Sequence, residues 1–138
     1  MRITLESDYA LRIITALANE GDLVDAKTLS EITQVTQRFT LKILRKLVQG
    51  DFISSVKGVK GGYRLKRPAS EITLRSVIER IDGPIVIARC LDSEETCSLN
   101  HDKTACIYHH IFDRISNDVA SKLGSITISD VLNKNYTL

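Results

Sequence analysis

What this sequence lacks narrows its role before anything it contains. No apolar run approaches the roughly 20 residues that a membrane-spanning helix needs. The opening segment from Met1 to Arg12 carries Arg2, Glu6, Asp8 and Arg12, so it has no uncharged apolar stretch of the kind a secretion signal requires. A cytoplasmic protein is expected. The sequence shows no phosphate loop after a parallel strand, no nucleophile-and-base motif and no paired carboxylates in a predicted cleft, so an enzyme is not expected and no catalytic residue is assigned. Internal repeats and low-complexity tracts are also missing. Cysteine is scarce, with three in 138 residues. An odd number in a reducing compartment argues against a disulfide framework and leaves metal binding or thiol redox chemistry.

Those three cysteines, Cys90, Cys97 and Cys106, stand in one polar loop with His101, His109 and His110 beside them. Six residues separate the first pair and eight the second, so there is no C-x-x-C knuckle. Structural zinc sites usually carry such a tight pair, whereas an iron–sulfur cluster tolerates wide spacing because its irons are spread over a larger body. Spacing therefore ranks an iron–sulfur cluster ahead of zinc. Three incidental thiols are the remaining reading, weakened because cysteine more often hides in cores than gathers in a polar segment.

What is present is an ordinary globular composition, 43% hydrophobic and 26% charged, enough for one domain with a modest core. The net charge of +2 hides an asymmetry. From Thr36 to Arg67 nine basic residues face the single acid Asp51, a local charge of +8, while from Cys90 to Leu138 four basic residues face seven acids, a local charge of −3. A polyanion would approach the first region only.

Hydrophobic periodicity predicts a first helix through Tyr9, Ala10, Ile13, Ile14, Leu17 and Ala18, closed by Gly21. Asp25 is a good cap for a second helix with Leu29 and Ile32 inward. Thr36 caps a third with Phe39, Ile43, Leu44 and Leu47 inward, ending at Gly50. Joined by Thr33 to Val35, the second and third helices read as a helix-turn-helix. Phe52 to Val56 and Tyr63 to Leu65 are β-rich runs flanking a glycine-rich tip, a hairpin that reads as a wing. Leu74, Val77, Ile78 and Ile81 predict a fourth helix starting near Ile72 or Thr73 and stopped by Gly83-Pro84. Cys90 to Ala105 has no apolar period and reads as a loop. Ile107, Ile111, Ile115 and Val119, with Phe112 and Leu123, form a stripe on a further long helix that needs a partner, ending at Gly124. A tail element through Ile126, Ile128, Val131 and Leu132 is expected to pack back on the body. The fold expected is mainly α: a winged helix-turn-helix over 1–84, a cysteine-bearing loop over 85–105, and a dimerisation helix and tail over 106–138.

In a helix-turn-helix the exposed early turns of the second helix face base edges, and Thr36, Gln37, Arg38 and Lys42 fall on the side away from the core stripe. Gln can pair with adenine and Arg with guanine, each through two hydrogen bonds. Glycines at the wing tip allow close approach to a groove wall, and Lys57, Lys60 and Arg64 would supply phosphate or minor-groove contacts. A solvated basic face that meets a protein partner is the weaker alternative. The expected partner is a double-stranded DNA operator.

Three segments together resemble the Rrf2 family of bacterial winged-helix regulators over nearly the whole chain. They are the opening Met1-Arg2-Ile3-Thr4 with Ser7-Asp8-Tyr9-Ala10-Leu11-Arg12, the wing Ser55-Val56-Lys57-Gly58 with Gly61-Gly62-Tyr63-Arg64-Leu65, and the three-cysteine loop. Ile126 to Leu132 also resembles the family's tail. The resemblance implies a homodimer joined by the long carboxy-terminal helix, an iron–sulfur cluster on Cys90, Cys97 and Cys106, and DNA binding, most simply repression, that responds to redox state, nitric oxide or iron–sulfur supply. In NsrR-like members a carboxylate in the first helix, given by the other subunit, completes a 4Fe-4S site, and Asp8 stands at that position. In IscR-like members a histidine shortly after the third cysteine completes a 2Fe-2S site, and His109 stands there. The match around Ser7 to Arg12 favours Asp8 and 4Fe-4S. A regulator of the same fold that uses bare thiols or zinc is the main alternative.

Overall fold

Thr4 starts the first helix: its backbone is extended and its hydroxyl accepts from the Ser7 N–H, which satisfies one of the open donors of the first turn. The computed structural model describes residues 2–92, 97 and 102–137. Among these it places seven α-helices and one two-stranded hairpin: α1 (Leu5–Glu20), α2 (Ala26–Thr33), α3 (Gln37–Gln49), β1 (Ile53–Val56), β2 (Gly62–Leu65), α4 (Leu74–Asp82), α5 (Arg89–Asp92), α6 (Ile107–Gly124) and α7 (Ile128–Asn133). The predicted mainly helical winged architecture is the one observed.

Local chemistry explains the boundaries. Gly21 ends α1 in the left-handed region at φ 71°, where a side chain would be strained. Asp25 caps α2 through the Thr28 N–H, and Thr36 caps α3 through the Phe39 N–H. The turn between them passes through Gln34, also left-handed at φ 57°. Thr73 and Ser76 exchange reciprocal bonds in a capping box at the start of α4.

Ile13, Ile14, Leu17, Leu29, Ile43, Leu44 and Leu47 meet in one core with Ile53, Ile72, Val77 and Ile128, all with almost no exposure. Full burial of each large aliphatic side chain stabilises by about 1.5–3 kcal/mol, so this cluster fixes α3 against α1 and α2. The tail packs back as expected. Ile128 N–H donates to Ile72 O at 2.8 Å and Leu74 N–H to Ile126 O at 2.9 Å, seating α7 beside α1.

Three expectations need correction. Ile32 is 48% exposed and Phe39 42% exposed, so neither is inward. Both lie at the margin of their helix's apolar stripe, where the spacing of apolar residues cannot separate a rim from a core. The segment Cys90 to Ala105 is not all loop: Cys90 lies in the helical turn α5, and Lys103–Ala105 forms a 3-10 turn.

In the wing, Ile53 pairs with Leu65 and Val56 with Gly62 in antiparallel register. Tyr63 and Val24 exchange two backbone bonds of 2.9 Å, which pins the hairpin to the segment before α2. Gly61 closes the tip, and a Cβ added there would lie 2.1 Å from the Val56 carbonyl oxygen. Gly61→Ala must therefore open the tip. A loss of about 1–3 kcal/mol of stability in thermal melts, with weaker binding to every DNA duplex, is the expected result. Unchanged melting and unchanged affinity would show that the tip geometry does not matter.

Candidate nucleic-acid interface and cysteine loop

Residues Gln37, Arg38, Leu41, Lys42 and Arg45 are all exposed on the outer side of α3 and line one open depression of about 470 Å³. Their placement follows from the core: with Thr40, Ile43, Leu44 and Leu47 held inward, the remaining positions of the helix must face solvent. Of the predicted DNA residues, Gln37 and Arg38 are on this face as expected. Thr36 is exposed at the helix start, with its hydroxyl engaged as the cap. Lys57, Lys60 and Arg64 are exposed on the wing. Three other cations of the basic region serve the fold: Lys66 pairs with Asp51 at 2.7 Å, Arg67 donates to the Asp51 and Gly50 carbonyls, and Lys46 pairs with Glu6.

Glu6 was not singled out in the sequence, and no local pattern could have shown it. On α1 it meets Lys46 at 2.7 Å and Lys42 at 3.1 Å, joining α1 to α3 across the core edge. Contact with the Lys46 ammonium, reinforced by Lys42, holds its carboxyl below the usual range. A lowered folded value means that this pairing stabilises the fold at neutral pH and that its contribution is lost as acid protonates Glu6.

Beside it runs a second string of contacts. Asp8 holds Arg12 at 2.6 Å; the Arg12 guanidinium lies 5.4 Å from the Tyr9 ring centre; Tyr9 meets Phe39 edge-on at 6.1 Å; and Lys42 lies 5.8 Å from the Phe39 ring. This explains why Phe39 remains at the rim, since it rests between an aromatic edge and a cation. A predicted metal ligand, Asp8, is thereby linked through contacts to a predicted DNA residue, Lys42.

Cys90, Cys97 and Cys106 are half-buried and free of disulfides. Cys90 lies in α5, and Cys106 is the residue at the amino end of α6, where its side chain makes no capping bond. Among the described residues no three Cys, His, Asp or Glu side chains are gathered closely enough to hold a metal ion, so the three thiols are not brought into one ligating group within the chain. His101 lies outside the described residues. His110 bonds the Thr104 carbonyl oxygen at 2.7 Å through Nε2. His109 differs: its Nδ1 is buried and has no hydrogen-bond partner. A buried nitrogen without a partner is costly, and a ligand would satisfy it.

The later turns of α6 pack on the body. Val119, Ala120 and Leu123 pack with Ile78 and Ile85, and the buried Ser116 hydroxyl accepts from the Ile87 N–H. Toward its start, Ile107, Tyr108, Ile111 and Ile115 are 44–67% exposed. No helix among the described residues is long and apolar enough to cross a membrane.

Comparison with known proteins agrees with this layout. The family model described as Rrf2, an iron-dependent transcriptional regulator, matches residues 3–134. An rrf2-like HTH-type transcriptional regulator of Rhodobacter capsulatus is 31% identical over 137 residues, covering 94% of this chain and 91% of that protein. The HTH-type transcriptional regulator NsrR of Oceanobacillus iheyensis is 25% identical over 142 residues, covering all of this chain and 94% of its own length. Among solved structures, CymR, the global cysteine regulator of B. subtilis, superposes with a TM-score of 0.79 at 20% identity, covering 97% of this chain and 98% of that one. T. potens IscR superposes at 0.74 with 18% identity, covering 99% and 89%. At these identities the structural matches show the fold alone.

Proposed function

The chain belongs to the Rrf2 family of transcriptional regulators, which are not enzymes, and on that premise we propose that it is a homodimeric, sequence-specific repressor switched by an iron–sulfur cluster on Cys90, Cys97 and Cys106. The observation that carries the reading is the union in one chain of an outward basic face on α3 and the wing with three unbridged thiols, one of them at the amino end of α6. Three soft sulfur donors suit an iron–sulfur cluster by their chemistry, although the chain alone does not gather them into one ligating group. When bound, the cluster supplies a centre that reacts with oxidants or nitric oxide.

Asp8 of a second copy is the proposed fourth ligand, consistent with 4Fe-4S. Ligation by Asp8, which holds Arg12 through one oxygen only, would alter that contact, and the contacts from Arg12 through Tyr9 and Phe39 would then carry the change to α3. His109 is the second reading, favoured by its buried, unpartnered Nδ1, and would accord with 2Fe-2S. A switch made of bare thiols or of zinc on the same fold is the alternative mechanism, since none of the three thiols is bridged.

A competition assay between a selected promoter fragment and random duplex, with cluster-loaded and cluster-free protein, tests the function. Gln37→Ala and Arg38→Ala should each cost about 1–3 kcal/mol at the preferred site and relax discrimination there. Lys57→Ala and Lys60→Ala should weaken all duplexes alike and reduce the salt slope by about one unit each. If neither form of the protein prefers any sequence, the regulator reading fails and only the fold remains.

A further inference from the structure

We propose that Leu41 reads the C5-methyl group of a thymine in the major groove, a specificity contact within the DNA-binding reading on which it rests. The aliphatic residues Ile43, Leu44 and Leu47 of α3 have no exposure, whereas Leu41 is 45% exposed and belongs to neither apolar core. A single exposed leucine is ordinary on a protein surface. Its setting here is not: it lies between Gln37, one turn before it, and Arg45, one turn after it, in the depression they share with Arg38 and Lys42. Phe39, the other exposed apolar side chain on α3, is braced by Tyr9 and Lys42.

The face therefore combines three chemistries. Arg38, Lys42 and Arg45 answer phosphates or guanine, Gln37 answers adenine, and Leu41 has no hydrogen bond to give. The feature of a base-pair edge that an aliphatic group recognises in the major groove is the thymine methyl, which cytosine, adenine and guanine lack. Burying Leu41 against that methyl removes both from water. One buried methyl is worth about a fourfold change in affinity.

The test uses the full chain and a duplex selected from a random pool, in which each thymine is replaced singly by deoxyuridine. That change deletes the methyl and leaves base pairing intact. The wild type should lose about fourfold at one or more thymines. Leu41→Ala should bind the thymine and deoxyuridine duplexes equally at those positions, with an unchanged melting temperature because the side chain lies outside the core. Leu41→Met, which keeps an apolar reach, should retain the preference, and Gln37→Ala should leave the deoxyuridine penalty in place. A wild type indifferent to deoxyuridine everywhere, or a penalty that survives Leu41→Ala, overturns the assignment while leaving sequence-specific binding intact. A pool that yields no preferred sequence overturns both.

Discussion

Replacing Cys90, Cys97 or Cys106 by Ala, one at a time, should give colourless protein that has lost its iron and sulfide. Each is one of only three thiols in the chain, so removing any one leaves too few thiolates to hold a cluster of either type. None of the three is part of an apolar core, so the fold should survive: melting of the metal-free variants should stay within about 0.5 kcal/mol of the metal-free parent. The readout is anaerobic absorption of freshly purified protein with iron and sulfide analysis. A colourless parent carrying stoichiometric zinc under the same conditions would remove the cluster from the proposal. The fourth ligand is settled by decay of the anaerobic spectrum. Asp8→Ala should accelerate it and His109→Ala should not; the reverse order would transfer the role to the histidine with the unpartnered Nδ1.

The parts of the structure legible in the sequence are those written in local chemistry. Asp25, Thr36 and Thr73 cap their helices because each offers a side-chain oxygen just ahead of an apolar period, and Gly21 tolerates the left-handed turn that ends α1. The hairpin was equally plain from two β-rich runs about a glycine tip. The first helix nonetheless begins earlier than its apolar period suggests, because Thr4 caps it through Ser7. The turn of helix at Cys90 spans four residues, too few to show any period.

The site was less legible than the fold for a related reason. Its individual residue types stand out, yet their relations are long-range. Glu6 joins Lys42 and Lys46 from positions 36 and 40 residues away, and nothing local marks an acid for that task. Phe39 shows the same effect in apolar chemistry. Its residue type belongs in a core, but at the rim of the α3 stripe it meets the edge of Tyr9, and only folding makes it a link between α1 and α3. The charge asymmetry did transfer from sequence to structure, because exposed Arg38, Lys42, Arg45, Lys57, Lys60 and Arg64 need no particular partner to produce a positive field.

If the proposed homodimer pairs through α6, placing aspartates at Ile111 and Ile115 together should convert it to a monomer and weaken its DNA binding. The helix they occupy runs for about 27 Å, and its later turns are held by Ser116, Ala120 and Leu123 against the body. Its earlier turns present Ile107, Tyr108, Ile111 and Ile115 with roughly half or more of each side chain in water. An apolar stripe of this kind on a helix otherwise bearing Asp113, Arg114 and Asp118 calls for a second apolar surface. In a two-fold pairing the same residues from both copies meet, so four half-exposed isoleucines would be covered. At about half of the 1.5–3 kcal/mol for full burial of each, they contribute about 3–6 kcal/mol, or two to four orders of magnitude in the dimer dissociation constant. Aspartates facing each other there would add repulsion. Sedimentation equilibrium reads the outcome directly, and the single change Asp118→Ala, on the same helix but polar, should leave the dimer intact. A double variant that remains dimeric would place the subunit contact elsewhere, and a parent that sediments as a monomer would overturn the homodimer itself. Since two recognition helices joined in one particle read two half-sites at once, loss of the dimer should cost far more at the selected promoter fragment than on random duplex.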